Sequence, residues 1–300
     1  MTELAIDADR PDLERSAETR DDAPFGRVCV MSELPSKDPE LGRYAGEIAP
    51  VWTIGDKLHG GTMVAASAAA AAARLRTVAP TLSDMFPIAA STDFLGAPDP
   101  GQVEYEVRVR KTGRQICLVD ASLVQGGRPL VRTVFTFGHL DAAAPAYAGV
   151  APADMPAEPP ADAIRYTPDT MGNLVHVSSG ASMALDRRYA AFLRGERGEP
   201  QLRLWIRPRA ADERDPQVAA YFAMMAGDVA PPVPMNLGNV GWAPTVQMTT
   251  YLRRRPAPGW LRVVATAQEV GERMFDEDQL VLDSTGALVA QSRQLALIPR

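Results

Sequence analysis

The chain has 300 residues, 46% hydrophobic and 23% charged, the make-up of a soluble globular protein long enough for two domains. Its net charge of −6 gives no general attraction to nucleic acid or to an anionic membrane, so any phosphate-bearing ligand must be gripped by local basic groups. Two cysteines, Cys29 and Cys117, carry no metal or redox spacing and fit a reducing cytoplasm.

In chain order, residues 1–25 are polar and charged with little to bury, and read as a disordered tail. They lack the basic start and apolar core of a signal peptide. The strand-like "YAGEIAPVWTI" follows, and then "HGGTM" opens a helix expected over residues 61–79. Between residues 63 and 73 that helix offers a single hydroxyl, Ser67, among apolar side chains. This run is about half the roughly 20 residues needed to cross a bilayer, so it predicts a buried helix and no membrane partner. An ordinary surface helix keeps a polar stripe. One that is small-sided and apolar all round must be enclosed, and a curved antiparallel sheet can enclose it. The segment "GQVEYEVRVRKTGRQICLVDASLVQGGRPLVRTVFTFG" supplies such strands, with Val103, Tyr105, Val107 and Val109 alternating with charged residues.

Residues 141–163, rich in Ala and Pro, read as a linker between residues 26–140 and residues 164–300. Beyond it the plan recurs: the strand-like "QLRLWIRPR", a helix expected over residues 215–227 with Pro216 in its first turn, then antiparallel strands. At a constant offset of 158, Gly101 matches Gly259, Gly113 matches Gly271, and Leu130-Val131 matches Leu288-Val289. Turn glycines and strand phases agreeing together indicate duplication. One strand, one helix and several antiparallel strands, done twice, is an α+β plan.

That plan, with "HGGTM", "WIRPR", "AYFAMMAGD", "PTVQMTTYLRRRPAPGWLRV" and "LVAQSRQ", resembles the double hot-dog acyl-CoA thioesterases, the TesB-like family. The resemblance implies a long helix wrapped by a curved sheet in each half, an acyl-CoA substrate, no cofactor, and assembly into a homodimer or homotetramer. It places the family's water-orienting aspartate, hydroxyl and glutamine at Asp228, Thr245 and Gln294. Two departures stand out. An aspartate usual two places after the hydroxyl is Gln247 here, and the segment of residues 229–244 is shorter than in bacterial relatives.

The chemistry suits those residue types. A thiol has a pKa near 8.5 and leaves as thiolate without a strong general acid, so histidine is dispensable. Asp228 would take the proton of a water, with a helix C-terminus raising its pKa. Thr245 and Gln294 would fix that water. His59, Gly60 and Gly61 form a candidate substrate-binding group: the glycine amides either stabilise an oxyanion or permit close packing, and His59 either meets ligand or caps the helix. Arg253, Arg254 and Arg255 form either a phosphate contact or a solvated strand end. No G-x-S-x-G elbow, metal-ligand cluster or dinucleotide fingerprint is present. The alternative is a non-catalytic hot-dog protein that binds acyl-CoA or acyl chains.

Overall fold

The computed structural model describes residues 22–149, 152, 154–167, 170–171 and 173–299. Most of the expected N-terminal tail, residues 1–21, lies outside the described residues. A short helix α1 (Pro24–Val28) leads to strands β1 (Ser32–Leu34) and β2 (Leu41–Ile48), a small hairpin of β3 (Thr53–Ile54) and β4 (Lys57–Leu58), and the long helix α2 (Gly60–Val78). Then come β5 (Phe86–Phe94), β6 (Gly101–Lys111), β7 (Ile116–Gln125) and β8 (Arg128–Gly138). The second half contains β9 (Ile164–Arg165), α3 (Val177–Gly180), β10 (Ser182–Leu185), β11 (Gln201–Arg207), α4 (Ala210–Arg214) and α5 (Pro216–Met225). It closes with β12 (Thr245–Leu252), β13 (Leu261–Thr266), β14 (Met274–Leu282) and β15 (Leu288–Leu297).

Thirteen of these strands form one sheet in the order β1-β2-β6-β7-β8-β5-β12-β15-β14-β13-β11-β10-β9, each neighbour antiparallel. Strand equivalents at the sequence offset, such as β8 and β15, take mirrored places about the junction of β5 with β12. There Ser91 lies opposite Thr249, so two residues at equivalent positions of the repeat face each other. In an antiparallel pair this places a pseudo-twofold axis through that pairing. The turn glycines agree: φ is +121° at Gly101 and +117° at Gly259, a region that an L side chain rarely adopts.

Helix α2 is built from the residue with the highest helix propensity, and His59 caps it by accepting from the Thr62 amide. It ends at Val78 because Ala79 precedes Pro80, and a residue before proline is pushed out of the α region. Residues 68–72 are all buried, against α5 on one side and the inner face of β5, β6, β7 and β8 on the others. Small side chains let both approach the helix axis. Each methyl so covered contributes about 0.8 kcal/mol of transfer free energy. Among the described residues no helix is long and apolar enough to cross a membrane.

Helix α5 starts as the sequence predicts. Asp215 caps it through the amides of Gln217 and Val218, and Pro216 occupies the first turn. It is much shorter than α2, however: regular helix stops at Met225 and a 3₁₀ turn carries the chain to Asp228. Prolines 231 and 232 then prevent the α-helix from continuing, and a 3₁₀ turn resumes only at Val233–Leu237.

Two stretches pack more firmly than their composition suggests. Phe25, assigned by sequence to the tail, is fully buried and meets Trp52 and Phe222 edge-on, both at 5.1 Å between ring centroids. Its amide and that of Gly26 donate to Asp212 of α4, at 3.0 and 2.7 Å. In the Ala/Pro-rich segment, Met155 and Ala163 pack with Ala184, Trp205 and Val264 in a second, smaller core. The Trp205 indole donates to the Pro156 carbonyl at 2.8 Å, and Arg203 pairs with Asp154 at 2.6 Å.

Candidate active site

Where α5 stops and α2 starts, the chain leaves an apolar cavity of about 490 Å³, lined by His59, Gly60, Asp228, Thr245 and Gln294 together with Leu58, Met63, Phe94 and Phe275. A larger groove of about 630 Å³ lies beside α1 and β2, lined by Arg27, Glu47 and Arg209, and holds none of the expected residues. The residues expected from the sequence gather at the apolar cavity.

The two helix ends meet within it. The Gly61 amide donates to Asp228 Oδ2 at 2.6 Å. His59 Nε2 lies 2.9 Å from the Asp228 carbonyl oxygen, which can only accept, so Nε2 carries the proton. Its Nδ1 accepts from the Thr62 amide at 3.3 Å. Both ring nitrogens of His59 are thereby engaged in capping α2 and holding the Asp228 backbone. A Cβ on Gly60 would collide with Asp228 Oδ2, and one on Gly61 with the Met225 carbonyl, so the glycine pair is what lets the helices touch. The Gly61 amide, a candidate oxyanion donor from sequence, is instead spent on the carboxylate. Among the described residues, Gly60 has the one first-turn amide of α2 left without a protein acceptor.

Asp228 has a raised pKa, and the cause differs from the one the sequence suggests. Burial is the largest effect; His59 and the Gly61 amide pull the other way. The expected helix C-terminus is opposed by the N-terminus of α2, which favours the carboxylate. The carboxyl stays raised because desolvation outweighs both opposing effects.

On the wall of the same cavity, the Thr245 hydroxyl donates to Gln294 Oε1 at 2.7 Å. Strand periodicity alone does not put Thr245 there. On β12 the inward residues are Met248, Thr250 and Leu252, so an odd-numbered Thr245 should point outward. A bulge between Thr245 and Gln247 resets the phase, exposes Val246, and turns Thr245 toward the cavity. The equivalent bulge occurs on β5 between Pro87 and Ala89. Gln247, the departure noted above, lies outside the cavity lining; its amide donates to Thr249 Oγ1 at 3.2 Å. The arginines 253–255 follow the far end of β12, about 23 Å from Thr245 at ~3.3 Å per residue. There Arg253 bonds Gln291 and stacks on Tyr251.

Motif reading passes over Glu277. This residue is fully buried on the inner face of β14, directly across from Gln294 of β15. Its Oε1 receives Gln294 Nε2 at 3.3 Å and Gln279 Nε2 at 2.7 Å, and its Oε2 receives the Val233 amide at 2.9 Å. Burial pushes its carboxyl up to about 8 against the pull of these donors, with the charge of Asp228 adding to the push. Period-two alternation contains the signal: Glu277 and Gln279 share the phase of Phe275 and Val281, which are core residues.

An antiparallel sheet wrapped round a helix in each half, joined edge to edge, defines a double hot-dog protein. The chain matches the acyl-CoA thioesterase N-terminal domain over residues 48–138 and the C-terminal domain over residues 150–298. It belongs to the acyl-CoA thioesterase family and is a thioester hydrolase. Uncharacterised proteins of Mycobacterium tuberculosis and Mycobacterium bovis are each 37% identical to it over 294 residues, spanning 92% of this chain and 98% of theirs. A thioesterase II candidate from Thermobifida fusca is similar in structure, with a TM-score of 0.77 at 31% identity over 92% of this chain and 97% of that one. The acyl-CoA thioesterase II TesB2 of Mycobacterium marinum shares the fold, with a TM-score of 0.61 at 18% identity, over 91% and 97% of the two chains.

Proposed function

We propose that the apolar cavity hydrolyses an acyl-CoA thioester with a water held between Asp228 and Thr245. The observation that carries this reading is the placement of a buried, proton-avid carboxylate and a Thr–Gln pair on the wall of one otherwise apolar cavity. Among the described residues Asp228 Oδ1 has no protein donor, which leaves it to accept from water. Thr245 gives its own proton to Gln294, so its lone pairs accept the water's second hydrogen. A water held by both hydrogens presents its oxygen lone pair to the thioester carbonyl.

Attack forms the C–O bond and moves the water's proton to Asp228. The carbonyl oxygen gains negative charge, for which the Gly60 amide at the α2 N-terminus is the available donor. Collapse breaks the C–S bond; the thiolate leaves and takes up the proton held by Asp228, giving free acid and CoA. The aliphatic and aromatic lining accepts the acyl chain by excluding water from it.

The test is release of free thiol from acyl-CoAs of several chain lengths. Asp228→Asn keeps the shape and the Gly61 contact geometry but removes the base, and kcat should fall about 10²- to 10⁴-fold. Saturable binding with no thiol release by the unaltered protein would favour the acyl-binding alternative instead.

A further inference from the structure

We propose that Glu277 is a positioning residue for the hydrolysis: its carboxyl group decides which end of the Gln294 amide faces Thr245. This rests on the reading of Thr245 and Gln294 as holders of the catalytic water, and it adds a residue that touches neither water nor substrate.

The amide of Gln294 has one accepting end and one donating end, and its two neighbours differ in what they demand. A hydroxyl such as that of Thr245 can donate or accept, so it tolerates either orientation. A carboxylate only accepts, and a protonated Glu277 carries its hydrogen on Oε2, because Oε1 already receives two N–H donors; Oε1 therefore accepts in either state. Glu277 is paired directly across the sheet with Gln294 and draws Nε2 toward itself, which leaves Oε1 for Thr245. Thr245 is then obliged to donate to Gln294 and to accept from the water. The polarity of the chain Glu277–Gln294–Thr245–water is therefore set at its buried end.

Glu277 is itself immobilised. The Val233 amide holds Oε2, and the Gln279 amide shares Oε1 with Gln294. Gln279 is also fully buried, and its own carbonyl end receives the Ala230 amide at 3.4 Å. Both Val233 and Ala230 lie in the loop that follows Asp228, so the same carboxyl ties the loop beside the base to the strand bearing Gln294. Keeping a carboxyl group in such a place costs stability through desolvation. A fixed amide orientation is what the site gains.

The decisive substitution is Glu277→Gln. Its amide must keep an oxygen toward the Val233 N–H, which puts an NH₂ where Oε1 now stands. That NH₂ opposes the donating ends of both Gln294 and Gln279, so the Gln294 amide turns over and Gln279 must give up either this contact or the one with the Ala230 amide. Thr245 then accepts from Gln294 and donates to the water, reversing the polarity. The expected result is a fall in kcat of roughly tenfold or more, with KM changed less than about twofold and a single cooperative melt retained. A reciprocal exchange, Glu277→Gln with Gln294→Glu, restores an acceptor for the Thr245 hydroxyl and should recover part of that kcat. In a Gln294→Ala background the Glu277→Gln effect should vanish, because the amide it acts through is gone.

Unchanged kcat in Glu277→Gln, or an equal loss with and without Gln294, overturns the positioning role. A different result strikes the underlying reading: if Gln294→Ala alone leaves kcat intact, the glutamine does not hold the catalytic water. The two failures are read from different variants.

Discussion

At the scale of single residues, the site separates two carboxyl groups by what surrounds them. Asp228 borders the cavity and receives one amide, whereas Glu277 is sealed behind it and receives three N–H donors. The buried one has a consequence for stability that can be measured. Its folded-state pKa of about 8 stands above the ordinary value of 4.5, so between these values the folded protein holds a proton that the unfolded chain has released. Stability therefore falls as pH rises through that window and levels off above it. Asp228, raised in the same direction, adds to the fall. Urea midpoints of the unaltered protein should decline from pH 5 to pH 9, and Glu277→Gln should decline less; parallel curves would show that Glu277 does not titrate in the folded state. Asp228, Thr245 and Gln294 could be named as candidates from the sequence because each lies at the edge of a recognisable string: Asp228 and Gln294 end theirs, and Thr245 stands near the start of its own. Glu277 was not, since "FDEDQ" reads as a solvated strand until its alternation is phased against Phe275 and Val281.

At the scale of elements, the alanine helix was the most legible feature, and the bulge on β12 the least. An all-apolar, small-sided run has one physical solution, enclosure, and residues 68–72 of α2 are enclosed. A bulge leaves no comparable mark. Thr245 faces inward only because Val246 is an extra residue in the pairing, and nothing in "PTVQMTTYL" distinguishes that from a regular strand. The end of α5 was misjudged for a similar reason: "AYFAMMAGD" has helical composition, but prolines just beyond it convert its last turn and release Asp228 toward α2. The enclosure of α2 makes a prediction of its own. Ala70 is fully buried, so Ala70→Leu has no void to enter. It should destabilise the protein by about 1–3 kcal/mol in chemical denaturation. A loss under about 0.5 kcal/mol, within the range of surface substitutions, would mean that the sheet does not close tightly on the helix there.

At the scale of the whole molecule, the pseudo-twofold through Ser91 and Thr249 raises the question of whether a duplicated fold carries two sites or one. The sequence offset transfers each site residue to the first half. Asp228, Thr245, Glu277 and Gln294 correspond to Ala70, Pro87, Val119 and Thr136. No carboxylate and no amide survives, and Ala70 and Val119 are fully buried in the core. The helix caps, His59 and Asp215, lie 156 residues apart rather than 158, but the slip only exchanges Ala70 for Ala72 as the partner of Asp228. Either way an alanine of α2 stands where the second half has Asp228. The two helices differ to match: α2 runs on to Val78 and fills its half, whereas α5 gives way at Met225 and leaves the cavity. On the proposed reading one half has become packing and the other chemistry, each needing its partner, since the first half still supplies Gly60, Gly61 and His59 to the cavity wall or its contacts. The chain should accordingly bind one acyl-CoA. Titration calorimetry of the Asp228→Asn protein, which should bind substrate while turning it over far more slowly, should give one equivalent per 32.3 kDa chain. Two equivalents of equal affinity would require a working pocket around Ala70 and Val119, and the account of the alanine helix as filling would fall with it.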